Sequence, residues 1–258
     1  MGEREMQGER CEDRAILEIG GEDRVEFLQG LVSNDVRRLA DGLVYAALLT
    51  PQGKYLADFF LVPGAETILL DVKADLAAAL LQRLSMYKLR AKVTIAAVDV
   101  PVFRGLGEVP GGGFADPRDA SLGWRYYGAL EVDGPPVDWD ALRVAACVPE
   151  TGVELIPNDG FILEAGFERL HGVDFRKGCY VGQEVTARMK HKTELRKGFA
   201  VVEVDGAAPV GTVIETGGKP AGTLCTQAGG RGIAYLRFDR AGPEMQAGDA
   251  VVRWQAAD

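Results

Sequence analysis

Residues 177–184 read Lys177-Gly178-Cys179-Tyr180-Val181-Gly182-Gln183-Glu184, KGCYVGQE. Glycines at 178 and 182 allow the backbone to turn tightly on either side of Cys179. The following stretch, Val181 to Lys192, puts Val181, Val185 and Met189 on one helical face, so a helix is expected to start just after the cysteine. A cysteine in that place feels the positive end of a helix dipole, and the ammonium of Lys177 adds to the effect. Both favour thiolate over thiol, making the sulfur a better nucleophile and metal ligand. The bland reading is a small apolar residue packed beneath a loop. The polar setting of Lys177, Gln183, Glu184 and Arg188 is more than a core-filling cysteine needs, and it favours the functional reading.

Working outward, KGCYVGQE continues into TARMKHKTELRKG (Thr186 to Gly198). It is preceded by LEAGFERLHGVDF (Leu163 to Phe175) and, further back, by FLQGLVSNDV (Phe27 to Val36) and LTPQGKYLADF (Leu49 to Phe59). Together these stretches resemble the YgfZ family of folate-binding proteins, which includes the mitochondrial iron-sulfur maturation factor. The N-terminal pieces are shared with a relative of that family, the aminomethyltransferase (T-protein) of the glycine cleavage system.

The chain has 258 residues, of which 47% are hydrophobic, enough for a substantial core in one large domain or two unequal ones. No apolar run approaches the roughly 20 residues that span a bilayer, and the first residues, MGEREMQGERCEDR, are charged, so no membrane association and a cytoplasmic location are expected. The four cysteines, Cys11, Cys147, Cys179 and Cys225, contain no CxxC pair, and His171 and His191 are the two histidines. That spacing predicts neither a disulfide framework nor a self-contained metal site, so any cluster needs ligands from a partner. A net charge of −9 argues against stable nucleic-acid binding. Arg188, Lys190, Lys192, Arg196 and Lys197 form a local basic patch, either a solvated helix face or a seat for carboxylates.

Apolar runs predict strands over Ala15–Ile19, Leu43–Thr50, Tyr55–Val62, Thr67–Val72 and Lys92–Val98. Amphipathic helices are expected over Asp23–Leu31, Asp75–Lys88 and Trp139–Cys147. Without strict βαβ alternation the pattern is α+β with antiparallel sheet. Pro/Gly-rich loops are expected at VPGGGFADPRD (Val109 to Asp119) and DGPPVDW (Asp133 to Trp139). After Gly198, short strands at Phe199–Val204, Thr212–Glu215, Gly222–Thr226, Gly232–Phe238 and Ala250–Trp254 alternate with glycine-rich turns and suggest a small β-barrel. The resemblance implies the same architecture: an aminomethyltransferase-like folate-binding domain over 1–197 and a C-terminal β-barrel domain over 198–258.

Asp58 lies in the apolar strand Tyr55–Val62. Alternation places Leu56, Asp58 and Phe60 on one face and Tyr55, Ala57, Phe59 and Leu61 on the other. A carboxylate there is either solvent-facing or held in a pocket for a purpose, because burying it unpaired is costly. The resemblance puts Asp58 at the position of the transferase's catalytic aspartate and Glu164 at that of the glutamate bonding the pterin ring. A carboxylate accepting two parallel N–H bonds suits an aminopyrimidine. Asn34, Arg196, Lys177 and Tyr180 complete the implied folate-binding set, with Arg196 near the glutamyl tail. On their own chemistry, Asn34 and Asp35 read equally well as a turn, and Tyr87, Lys88 and Arg90 as a basic helix end.

The function so implied is a tetrahydrofolate-binding accessory factor in assembly or repair of iron-sulfur clusters, with Cys179 acting as a thiolate near the mouth of a cavity lined by Asp58 and Glu164. Its partners would be folate and, transiently, iron-sulfur enzymes or assembly proteins. The alternative is an enzyme of the aminomethyltransferase or demethylase type, with Asp58 managing protonation as a one-carbon unit moves to tetrahydrofolate. A plain interaction module, with a vestigial pocket, is the third class.

Overall fold

The structure is a computed structural model that describes residues 6–192 and 195–255; Thr193, Glu194, the first five residues and the last three lie outside the described residues, as does the side chain of Lys192. In chain order the first elements are β1 (Gly8–Arg10), β2 (Arg14–Gly20), α1 (Arg24–Gln29), β3 (Val44–Leu49), β4 (Tyr55–Pro63), β5 (Ile68–Lys73), α2 (Ala74–Lys88) and β6 (Thr94–Val98). Strands β3-β4-β5-β2-β6 form an antiparallel five-stranded sheet. These five strands, with α1 and α2, are the ones that hydrophobic periodicity predicts; β1 is not among them.

One face of this sheet packs Leu17, Ile19, Val44, Phe59, Leu61 and Leu70 against α1 and α2 through Leu28, Leu80 and Leu84. The other face, carrying Tyr45, Tyr55, Phe60 and Val62, is covered by the 148–180 chain through Val148, Leu155, Ile162, Leu163, Phe167 and Tyr180. A sheet buried on both faces explains why β3 and β4 read as near-continuous apolar runs. The assignment of faces at the start of β4 is corrected. Leu48 pairs with Ala57 but Leu49 with Tyr55, so Leu56 is an extra residue in a bulge. Tyr55 is thereby moved to the face of Asp58, and Leu56 packs on the opposite side.

A second antiparallel sheet, absent from the strands predicted above, has the order β1-β7-β9-β8, with β7 (Val102–Gly105), β8 (Phe114–Ala115) and β9 (Trp124–Tyr127). β8 lies within the expected Pro/Gly-rich loop. Helix α3 (Trp139–Ala146) follows, its first turn capped by Asp138 accepting from Ala141 N. The 147–182 chain has no helix or long strand; α4 (Gln183–Lys192) ends this part.

The remainder is a closed six-stranded barrel, β10-β13-β12-β11-β14-β15: β10 (Lys197–Asp205), β11 (Thr212–Thr216), β12 (Lys219–Ala228), β13 (Arg231–Arg237), β14 (Met245–Ala247) and β15 (Ala250–Arg253). Val202, Ile214, Leu224, Leu236 and Val252 fill its interior. Strand β14 is too short to register as a periodic run. Closure leaves the barrel without an open edge.

Candidate functional site

Asp58 is buried, 6% exposed, and its carboxylate is held by hydroxyls. Tyr45 Oη donates to Oδ2 at 3.0 Å, Tyr55 Oη donates to Oδ1 at 2.8 Å, and Thr151 Oγ1 also donates to Oδ1. Burial and the adjacent carboxylate both push the two phenols upward, which keeps them protonated and donating. Of the two readings of Asp58, solvent-facing is excluded.

Around it lies a charge network that sequence reasoning missed. Asp71 accepts from Arg14 Nε at 2.6 Å, Arg125 NH1 at 3.2 Å and Tyr127 Oη at 2.9 Å. Asp116 accepts from Arg118 at 3.0 and 2.8 Å and from Arg125 Nε at 3.2 Å. The guanidinium carbons of Arg125, Arg118 and Arg14 lie 4.0, 4.8 and 5.9 Å from the centre of the Phe60 ring. Burial raises the carboxyl of Asp116, but Arg118 and Arg125 outweigh it and hold the group below its ordinary value. The space between Asp58, Arg14, Arg118, Arg125, Lys73 and Glu150 is only about 30 Å³, room for water but not for a ring system. The available signal was charged residues at 71, 116 and 118 inside an apolar strand and a glycine-rich loop, where alternation alone assigns no partner.

Glu164 lines a different cleft, of about 250 Å³, between the loops of the N-terminal part and the barrel. Tyr235 Oη donates to its Oε2 at 2.7 Å, and Lys197 Nζ is 3.9 Å from its Oε1. Phe161, Phe199 and Tyr235 supply aromatic walls, with Phe199 and Tyr235 5.2 Å apart between ring centres. Lys54 also lines the cleft, its Nζ 4.7 Å from the centre of the Phe161 ring. The expectation of one cavity shared by Asp58 and Glu164 is therefore corrected: Tyr55 contributes to the wall of the Glu164 cleft and bonds Asp58 behind it. The bulge at Leu56 accounts for this, because it brings Tyr55 onto the face of Asp58.

Asn34 is placed in the turn before Val36 and away from the Glu164 cleft. Its Nδ2 donates to Tyr45 O at 2.8 Å and His171 O at 2.6 Å, its Oδ1 accepts from Asp35 N, and it lines an open hollow with Tyr45, Phe114 and His171 rather than the Glu164 cleft. Arg196 is exposed, and its carbonyl accepts from Phe238 N.

Cys179 is exposed, whereas Cys11 and Cys225 are buried and Cys147 is half-buried. It lies four residues before the first residue of α4, beyond the turn over which a helix dipole acts. Lys177 does not face it as a free cation either. Its Nζ donates to Gln29 O at 2.6 Å and Val32 O at 2.7 Å, and lies 4.9 Å from the centre of the Tyr180 ring. Burial pushes this ammonium down to about 8, against the pull of Asp35 and Asp174. Thiolate activation by the dipole and Lys177 is thus corrected: the helix starts later than expected, and the ammonium is spent on carbonyls. Among the described residues no group of three or more His, Cys, Asp or Glu side chains is arranged to hold a metal ion.

In the basic patch, Arg188 pairs with Glu184 at 3.3 Å and Lys190 pairs with Glu168, so part of it is self-neutralised. No helix among the described residues is long and apolar enough to cross a membrane.

Residues 196–258 match the family described as the CAF17 C-terminal beta-barrel domain. Over 89% of its length the chain is 30% identical to the mitochondrial iron-sulfur cluster assembly factor IBA57 of Mus musculus, covering 77% of that protein. It is 33% identical to the mitochondrial IBA57 homologue of Mycosarcoma maydis and 31% identical to that of Neurospora crassa, spanning 54% of each. The chain thus covers about half the length of these fungal relatives. The glycine cleavage system aminomethyltransferase T of Bartonella henselae superposes with a TM-score of 0.65 at 14% identity, over 96% of this chain and 84% of that one. The aminomethyltransferase-like fold with a C-terminal barrel is thereby shown. The expected cytoplasmic location does not stand, since the relatives' names place them in mitochondria.

Proposed function

Because the chain belongs to the IBA57 family of iron-sulfur cluster assembly factors, we propose that it is a tetrahydrofolate-binding accessory factor for assembly or repair of iron-sulfur clusters, the role implied by its YgfZ-like motif. The exposure of Cys179, in contrast to the burial of Cys11 and Cys225, carries this reading. A solvent-facing thiol on a shaped loop is available to ligate a cluster in transit, with the remaining ligands supplied by the partner that delivers or receives it. In the same reading residues 1–197 are the folate-binding domain and 198–258 a separate barrel domain.

The Glu164 cleft fits a pteridine. Glu164 has a carboxylate able to accept two N–H bonds from an aminopyrimidine edge, the aromatic walls suit a flat ring, and Lys54, in the same lining, is a cation for a tail carboxylate, while Lys197 lies beside Glu164 itself. When bound, a reduced folate would supply a one-carbon carrier or a redox-sensitive ring. Glu164 orients it, and Tyr235 fixes the carboxylate.

The transferase reading draws on the fold. Against it stands the state of Asp58, whose two oxygens already accept from three hydroxyls in a space too small for a pterin. Such a carboxylate supports the Tyr45–Tyr55–Thr151 wall and has no free route to a substrate proton.

The test has two arms. Tetrahydrofolate titrated calorimetrically into the wild type should bind saturably and lose that binding in Glu164→Ala. Cys179→Ser should fail to restore cluster-enzyme activity in a strain lacking the protein; full restoration by Cys179→Ser would remove the thiolate from the mechanism.

A further inference from the structure

Lys177 is 8% exposed, an ammonium withdrawn from water onto two backbone carbonyls, Gln29 O and Val32 O. Gln29 is the last residue of α1, where a helix leaves acceptors without intrahelical partners and carries partial negative charge, and Val32 follows three residues later in a bridge to Leu48 of β3. The connection runs both ways. Gln29 Nε2 donates to Lys177 O at 3.2 Å and to Asp35 Oδ1 at 3.0 Å, while Gln29 Oε1 accepts from Val36 N at 2.9 Å. Gln29, buried at 6% exposure, therefore knots the end of α1, the Asp35 turn and the start of the cysteine loop together.

The loop itself needs such an anchor. Gly178 and Gly182 have φ of +98° and +83°, so the backbone flanking Cys179 is conformationally permissive. On one side of the cysteine is buried Lys177. On the other, Tyr180 is buried in the same core as Tyr45 and Phe167 and packs beneath the Lys177 ammonium. With residues 177 and 180 both fixed inward, Cys179 is turned to solvent at a set position. A packing residue at 177 would need no charge, and keeping an ammonium there requires the bonds that hold it.

Resting on the reading of Cys179 as a cluster ligand, we propose that Lys177 and Gln29 are its positioning pair, a clasp that ties the cysteine loop to the end of α1 and sets the geometry in which the thiol meets a partner. Neither residue touches the cluster; each acts through Cys179.

The clasp is tested by hydrogen exchange of residues 178–182 together with restoration of cluster-enzyme activity. Lys177→Met keeps the length and removes the donors. It should speed exchange across 178–182 about tenfold, the scale of losing a charge-assisted buried bond, while leaving β10 and β13 of the barrel at wild-type rates. It should also fail to restore activity, and Lys177→Arg, which keeps donors for the two carbonyls, should recover both readouts. A general loss of stability would instead raise exchange throughout. Gln29→Glu keeps the acceptor for Val36 N but replaces the donor to Lys177 O and Asp35 with a carboxylate oxygen that repels both, and it decides the matter if Lys177→Met does not fold. Unchanged exchange over 178–182 in these variants overturns the clasp, as does full activity with exchange increased. If Cys179→Ser alone restores activity, the cluster-ligand reading falls, and the exchange measurements still decide whether the clasp exists.

Discussion

Tyr45 and Asp58 are diagonal neighbours on β3 and β4, and the phenol donates to Asp58 Oδ2 at 3.0 Å. Tyr45 also stacks on Phe167, 5.0 Å between ring centres, and its carbonyl accepts from Asn34. One residue thus joins the buried carboxylate, the aromatic layer covering the sheet and the turn that leads back to α1.

Removing that hydroxyl leaves a buried carboxylate one donor short. Tyr45→Phe is expected to destabilise the fold by about 2 kcal/mol, the range for bonds to charged groups, with little change in ring packing. Tyr55→Phe should cost a similar amount, since Tyr55 serves Oδ1 and accepts from Asp58 N as well. Urea unfolding followed by fluorescence measures both; a shift below about 0.5 kcal/mol in each would show that the hydroxyl cage contributes nothing net.

The charge network gives a pH dependence. The folded pKa of Asp116 lies below its ordinary value of 3.8, so the folded state binds fewer protons than the unfolded state near that pH. Its contribution is complete above the unfolded value and is lost as pH falls through the folded value. Stability of the wild type should therefore fall more steeply below about pH 4 than that of Asp116→Asn, which has already lost the charge at neutral pH. Thermal melts across pH 2–7 would show parallel curves if Asp116 were uncoupled from Arg118 and Arg125.

Thiol chemistry separates the cysteines. Burial pushes the Cys225 thiol up to about 12 and raises Cys11 and Cys147 as well. Only the thiolate reacts, so at pH 8 Cys179 should be alkylated first and Cys225 should stay unmodified until the protein unfolds. Peptide mapping after brief iodoacetamide treatment tests this order, and early modification of Cys225 would contradict its burial.

The sequence carried the five-stranded sheet and most of the barrel because their strands are long and their apolar residues periodic. It did not carry the β1-β7-β9-β8 sheet, whose strands have two to four residues and whose outermost one interrupts a glycine-rich loop. Residue type leaves Asp58 open between solvent and pocket, and the resemblance alone singles out Glu164; the structure buries both and exposes Cys179. Their separation does not follow from residue type: a single bulged residue, Leu56, puts Tyr55 between Asp58 and the Glu164 cleft. Lys177 was legible as a special lysine but not as a buried one, because Gln29, which fixes it, is 148 residues away in the chain.

The two glycines of KGCYVGQE should respond differently to alanine. Both have positive φ, where any Cβ costs about 1 kcal/mol. At Gly178 a Cβ would meet nothing within 4 Å, so Gly178→Ala should lose only that strain. At Gly182 it would lie 2.5 Å from Thr50 O and 2.9 Å from Leu49 Cβ, at the end of β3 and the residue after it. Relief would require the turn before α4 to move, and Tyr180 and Cys179 with it. Gly182→Ala is therefore expected to cost several times more stability than Gly178→Ala, about 3 kcal/mol against 1. It should also alter access to Cys179, measured as its alkylation rate at fixed pH. Equal losses in the two variants would mean that the Thr50 contact yields freely, and that the loop is held by the Lys177 side alone.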